Sequence, residues 1–132
     1  MKKKVLILAG GYSKEREISI KTGIEVYKCL KNKYNVKLLD PSNGLINELR
    51  KAKPDIVFNA LHGTYGEDGY VQTILESEKI KFTHSGVYSS SLAIDKEVSK
   101  NIFKKNKILT PPSFKITSIH KQVQKNIVKK IN

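Results

Sequence analysis

The sequence predicts an α/β fold, an open and mainly parallel sheet with helices on both faces. Three observations carry that prediction. Short, wholly apolar runs such as Val5-Leu6-Ile7-Leu8-Ala9 and Ile56-Val57-Phe58 read as strands buried on both sides. Between them lie stretches whose apolar residues recur at helical spacing. Strand and helix signals alternate four times, as in a sheet built from right-handed crossovers.

The first strand ends at Gly10-Gly11. A long helix follows, with Ser13 as candidate N-cap and Glu15 and Glu17 in or near the first turn, where carboxylates suit the helix dipole. Ile20, Gly23, Ile24, Tyr27 and Leu30 form its inward face, and it should end between Asn32 and Asn35. Val36-Lys37-Leu38-Leu39 is the second strand, stopped by Asp40-Pro41. Ser42 is placed to cap a short helix with Leu45, Ile46 and Leu49 inward, broken by Lys53-Pro54-Asp55. After the third strand, Ile56 to Phe58, a helix carries Val71, Ile74, Leu75 and Glu78. Ile80 to Thr83 is a fourth short strand. One helix then runs from Ser89 or Ser91 to Lys105, with Leu92, Ala93, Val98, Ile102 and Phe103 apolar. Thr110-Pro111-Pro112 is a rigid exit and the expected boundary of a domain over residues 1–112. Ser113 to Ile116 should be extended, and Ile119, Val123 and Ile127 suggest a last helix; residues 113–132 read as the lead into a further domain.

The totals narrow the function classes. A chain of 132 residues fits one domain that buries roughly two-thirds of its unfolded surface. No apolar run approaches the ~18 residues of a membrane span, and the run behind Met1-Lys2-Lys3-Lys4 is too short for a signal peptide. The single cysteine, Cys29, forbids an intrachain disulfide and reads as a small core or boundary residue of the first helix. A cytoplasmic protein with no membrane partner is expected. The net charge of +13 is almost all lysine; Arg16 and Arg50 are the only arginines. Readers of nucleic acid lean on arginine, and these lysines are scattered, so a solvated surface is expected and no nucleic-acid partner.

The stretch with the densest chemistry is Asn59 to Gly69, NALHGTYGEDG. It places His62, Glu67, Asp68 and three glycines between a buried strand and a helix, at the edge where open α/β sheets bind ligands. His62 can orient a carboxyl group or serve as acid or base, and Glu67 can hold its imidazole. Gly10-Gly11 reads either as a phosphate cradle or as a tight strand-to-helix turn. In the cluster Glu15, Arg16 and Glu17, one carboxylate is placed to bind an ammonium group; two of the three residues would only complement the helix dipole. His84-Ser85-Gly86 follows the fourth strand and should face the same side. His120 reads as inert. No Cys/His spacing fits zinc, and no paired Asp/Glu spacing completes a metal site. Lys96 taken alone reads as solvated; pointed at the sheet edge, it could meet a phosphate as a point charge.

Four segments combine these features: GGYSKEREISIKTG (Gly10 to Gly23), NALHGTYGEDGYVQ (Asn59 to Gln72), SGVYSSSLAIDK (Ser85 to Lys96) and TPPS (Thr110 to Ser113). In order and spacing they resemble the N-terminal domain of bacterial D-alanine–D-alanine ligase, over about Lys4 to Phe114. The resemblance implies a Rossmann-like first domain of an ATP-grasp enzyme. It also implies the family's reaction, joining two D-alanines with ATP and Mg2+ through an acylphosphate for peptidoglycan synthesis, and a homodimer. By motif match, Glu15 would hold the ammonium of the first D-alanine and Ile18 would lie near its methyl. His62 would sit beside its carboxylate with Glu67 as support. Ser85 and Gly86 would line the substrate side, and Lys96 would reach the nucleotide phosphates.

His84 departs from the family, which commonly has glycine there; its imidazole would narrow the pocket or point out. The family's main nucleotide lysine, magnesium carboxylates and oxyanion arginine have no counterpart up to Asn132. The 132 residues alone are therefore expected to release no phosphate from ATP with magnesium and D-alanine. The alternative reading is a non-catalytic truncated paralogue, acting as a dimerising or ligand-binding module. The choice between D-alanine and D-lactate as second substrate would rest on residues outside this chain.

Overall fold

The computed structural model describes residues 2–41, 44–113 and 115. The chain forms two compact units, residues 1–96 and 97–132. In the first, β1 (Lys4–Leu8), β2 (Asn35–Leu39) and β3 (Ile56–Asn59) form a parallel sheet in the order β2-β1-β3. Val5 pairs with both Val36 and Ile56, so the three strands run in step to a common carboxyl edge.

Alternation along β1 divides the core. Val5, Ile7 and Ala9 face α1 (Arg16–Leu30), packing with Val26, Tyr27 and Leu30. Leu6 and Leu8 face α2 (Leu45–Ala52) and α3 (Tyr70–Ser77) through Leu49, Val71 and Leu75. Leu49 and Leu75 are fully buried, which stabilises the fold by roughly 1.5–3 kcal/mol each. The expected helices on both faces are present.

At Gly23 the helix α1 touches the sheet: a Cβ there would collide with the Cβ of Ala9. That close approach sets which face of α1 turns inward. Val26 turns in and Ile24 is left outside, against the expectation for Ile24. Ile46 of α2 is likewise exposed rather than inward. Cys29 is exposed, not a core residue. The start of α1 also differs from expectation. Glu15, not Ser13, is the N-cap; the Ser13 hydroxyl accepts from the Glu15 N–H in a turn just before the helix.

The fourth strand reduces to one parallel bridge between Val57 and Phe82. Val57 N–H donates to Lys81 O and Thr83 N–H to Val57 O, but the next ladder donor, Asn59 N–H, goes to the Thr83 hydroxyl. His84 then turns the chain away at φ +80°. The long helix expected over 89–105 is two helices, α4 (Val87–Ile94) and α5 (Lys96–Lys105), parted by Asp95 in extended conformation (ψ 107°). Aspartate is a weak helix-interior residue and a favoured N-cap, which suits the break.

In the second unit, α5 ends with Ile108 N–H on Phe103 O and Lys107 N–H on Lys104 O, with Lys107 left-handed at φ +59°. The expected cap Ser42 and the helix through Ile119, Val123 and Ile127 lie outside the described residues, as does part of the stretch Ser113 to Ile116.

Candidate functional site

Two polar clusters form at the carboxyl edge of the sheet. The first sits at the end of β1. Gly10 and Gly11 both have positive φ, +103° and +78°. Gly10 N–H donates to Ser19 Oγ (2.8 Å), and the buried Ser19 hydroxyl donates to Ala60 O (2.8 Å). Gly11 N–H donates to Asp40 Oδ1 (2.9 Å). Arg16 donates to Gly11 O (3.1 Å) and pairs with Asp40 Oδ2 (2.6 Å). The Arg16 hydrogen bond holds the Asp40 carboxyl below its usual range, helped by Gly11 N–H and opposed by partial burial. Asp40 in turn raises the Arg16 guanidinium further. Both glycine N–H groups are therefore spent inside the protein, and Gly10-Gly11 is a tight turn rather than an open phosphate cradle.

The second cluster is built on the loop after β3. Two buried amides hold it: Asn59 Nδ2 and Gln72 Nε2 both donate to Gly66 O at 2.8 Å. Gly66 is buried against Leu61 with no room for a Cβ, which folds the loop tightly on itself. Asp68 closes it by accepting from Tyr65 N–H (2.8 Å) and Tyr70 N–H (3.0 Å). Glu67 Oε2 accepts from Gly63 N–H at 2.9 Å.

His62 stands half-buried in this frame. Its Nε2 is 3.1 Å from Thr22 Oγ1 on α1, and its Nδ1 is 3.8 Å from Glu67 Oε1. Glu15 reaches the same place from the start of α1. A Cβ on Gly63 would meet Glu15 Oε2 and, at 2.7 Å, Ser13 Oγ. Gly63 has φ +67°, so its missing side chain and its backbone both make room for Glu15. Glu15 is exposed, and among the described residues its carboxylate has no cationic partner. An exposed carboxylate, without a cationic partner among the described residues, thus lies within one loop of an imidazole. That arrangement can take a ligand carrying both an ammonium and a carboxylate.

A cavity of about 690 Å³ opens beside the cluster, lined by Gly10, Gly11, Ser13, Leu61 and His62 and by the rings of Tyr12, Tyr65 and Tyr70. A larger one, about 940 Å³, lies at the opposite edge of the sheet, among Lys3, Tyr34, Lys53 and Lys81. Its arginine is already bidentate on Glu78, and it holds no imidazole. The chemistry, not the volume, marks the carboxyl edge as the candidate site.

The other expected site residues are more dispersed. Ile18 is exposed on the first turn of α1, and its carbonyl accepts from the Thr22 hydroxyl. Ser85 and Gly86 stand against α4: Ser85 O accepts from Ser90 Oγ, and a Cβ on Gly86 would lie 3.1 Å from Glu76 Oε1. Lys96 opens α5, exposed, and its side chain has no hydrogen-bond or ion-pair partner among the described residues. His84 is exposed and packs edge-on against Phe58, ring centroids 6.2 Å apart. No group of three or more His, Cys, Asp or Glu side chains could hold a metal ion among the described residues.

Sequence reasoning missed Ser19, Thr22, Asp40 and Gln72 as parts of this edge. The available signal was polar residues at positions where a buried face should be apolar, most clearly Ser19 and Gln72.

Similarity to known proteins gives the family of the chain. The family model described as D-ala D-ala ligase N-terminus matches residues 37–85. A D-alanine–D-alanine ligase of Pelagibacter ubique is 55% identical over 132 residues, covering 99% of this chain and 43% of the relative. The chain belongs to the D-alanine–D-alanine ligase family, at its N-terminal domain. The ligase of Zymomonas mobilis is 51% identical over 111 residues, 83% of this chain and 33% of its own length. A solved D-alanine–D-alanine ligase of Bacillus anthracis complexed with ATP superposes with TM-score 0.73 at 32% identity, covering 95% of this chain and 44% of that one. The chain thus spans less than half the length of the curated relatives it matches.

Proposed function

We propose that this chain is the first-substrate domain of an ATP-dependent D-alanine–D-alanine ligase. The reaction joins two D-alanines into D-alanyl-D-alanine while ATP becomes ADP and phosphate. The observation that carries the reading is the convergence of Glu15, His62 and Glu67 around Gly63. In it, Glu15 binds the ammonium of the first D-alanine by charge-assisted hydrogen bonds. His62 sits beside its carboxylate, with Glu67 next to its Nδ1, and Ile18 borders the methyl. Ser85 and Gly86 line the approach. Lys96, exposed and without a partner among the described residues, meets the nucleotide phosphates. ATP supplies the activation of the first carboxyl group. Among the described residues no group of three or more His, Cys, Asp or Glu side chains could hold Mg2+. The product serves peptidoglycan synthesis, in the cytoplasm, by an enzyme that acts as a homodimer.

The test is a chimera. Residues 1–112 of this chain replace the matching segment of the Pelagibacter ubique ligase. The expected result is D-alanine-dependent phosphate release from ATP at a rate near that of the parent. A folded chimera that hydrolyses no ATP with D-alanine contradicts the proposal.

A further inference from the structure

The geometry points to Thr22 as a positioning residue that fixes the tautomer of His62, with the proton on Nε2 and Nδ1 left as the nitrogen facing Glu67. The inference rests on the reading of His62 as a substrate-binding group and adds which of its atoms does the work. Thr22 Oγ1 has one proton and two neighbours. It lies 3.0 Å from Ile18 O, one helical turn back, and 3.1 Å from His62 Nε2. A hydroxyl that donates to the carbonyl four residues earlier keeps only lone pairs for a further partner. Nε2 must then be the donor.

Glu67 pulls the other way, since a carboxylate beside Nδ1 favours a proton there. Distance decides between them. At 3.8 Å, Glu67 Oε1 is outside hydrogen-bond reach of Nδ1, and Glu67 Oε2 is committed to Gly63 N–H. Thr22 makes the closer contact and is held on rigid helix, whereas Glu67 is exposed. The neutral ring is therefore Nε2–H, with Nδ1 on the Glu67 side of the site. A ring nitrogen's role follows from the bond its other nitrogen makes.

The measurement is long-range 1H–15N correlation on the uniformly 15N-labelled 132-residue chain carrying His84→Gln and His120→Gln, at about pH 8, above the ordinary imidazole range. The expected spectrum is a single tautomer, Nε2 pyrrole-like and Nδ1 pyridine-like. Thr22→Val should shift the ring toward the other tautomer, and Thr22→Ser should restore the original pattern. A wild-type ring protonated on Nδ1, or a folded Thr22→Val protein with an unchanged pattern, overturns the inference. If Thr22→Val does not fold, the wild-type spectrum and Thr22→Ser still decide it. These spectra need no substrate, so they stand apart from the ligase reading, which an inactive chimera would contradict by itself. In an active chimera, Thr22→Val should raise KM for the first D-alanine about tenfold with a smaller change in kcat, and Thr22→Ser should not.

Discussion

The turns after β1 and β3 draw on the same materials, glycines at positive φ with charged residues beside them, and reach opposite ends. After β1 the two glycine N–H groups, Asp40 and Arg16 are answered internally. Asp40 takes Gly11 N–H and Arg16, and Ser19 takes Gly10 N–H. After β3 the loop is braced from behind by Asn59 and Gln72, and Glu67 is exposed on its outer side. Glu15 belongs by sequence to the first turn and by position to the second. Its neighbour Arg16 points to Asp40, which leaves Glu15 free at Gly63. A closed cluster is a brace; an open one is a candidate site.

The sharpest way to break the comparison is Gly63→Ala. The new methyl would strike Glu15 and Ser13 at a backbone angle that alanine rarely adopts. Displacing a binding carboxylate by about 1 Å can cost on the order of 100-fold. The chimera carrying Gly63→Ala should lose about that much in kcat/KM for D-alanine while keeping its KM for ATP. Activity within a few-fold of the parent would mean that Glu15 and Gly63 need not meet.

A smaller effect sharpens the other side. The Asp40 carboxyl is held below its usual range chiefly by Arg16. Its stabilisation is present above the unfolded value of about 3.9 and is lost as pH falls through the lower folded value. Urea midpoints for the wild type and Asp40→Asn should therefore differ most near neutral pH and converge in acid. A gap of constant size from neutral pH into acid would show that the charge on Asp40 does not carry the brace. Because Asp40 and Arg16 are partly exposed, the gap should be modest and should shrink with salt.

Much of this was legible in the sequence. Runs buried on both faces, such as Val5 to Ala9, can pair only inside a covered sheet, so the strands and their alternation with helices were secure. The loop chemistry of His62 and Glu67 was legible because glycines and charge between a buried strand and a helix have few other uses. What stayed hidden depends on contacts distant in the chain. The ladder beyond β3 stops because the Thr83 hydroxyl captures Asn59 N–H, an exchange that no periodicity reports. The helix α3 ends at Lys79, a lysine in the left-handed conformation that usually marks glycine, so its stop signal was silent. Thr22 looked like one more polar position on a helix until His62, 40 residues later, came to rest on it.

The most direct test of the whole account is Glu15→Gln in the active chimera, with KM measured separately for D-alanine and ATP. Losing a hydrogen bond between charged groups costs about 1.5–3 kcal/mol, so KM for the first D-alanine should rise roughly 10- to 100-fold, with KM for ATP unchanged. Equal small shifts in both constants would show that Glu15 is part of the scaffold and that the first D-alanine is held elsewhere.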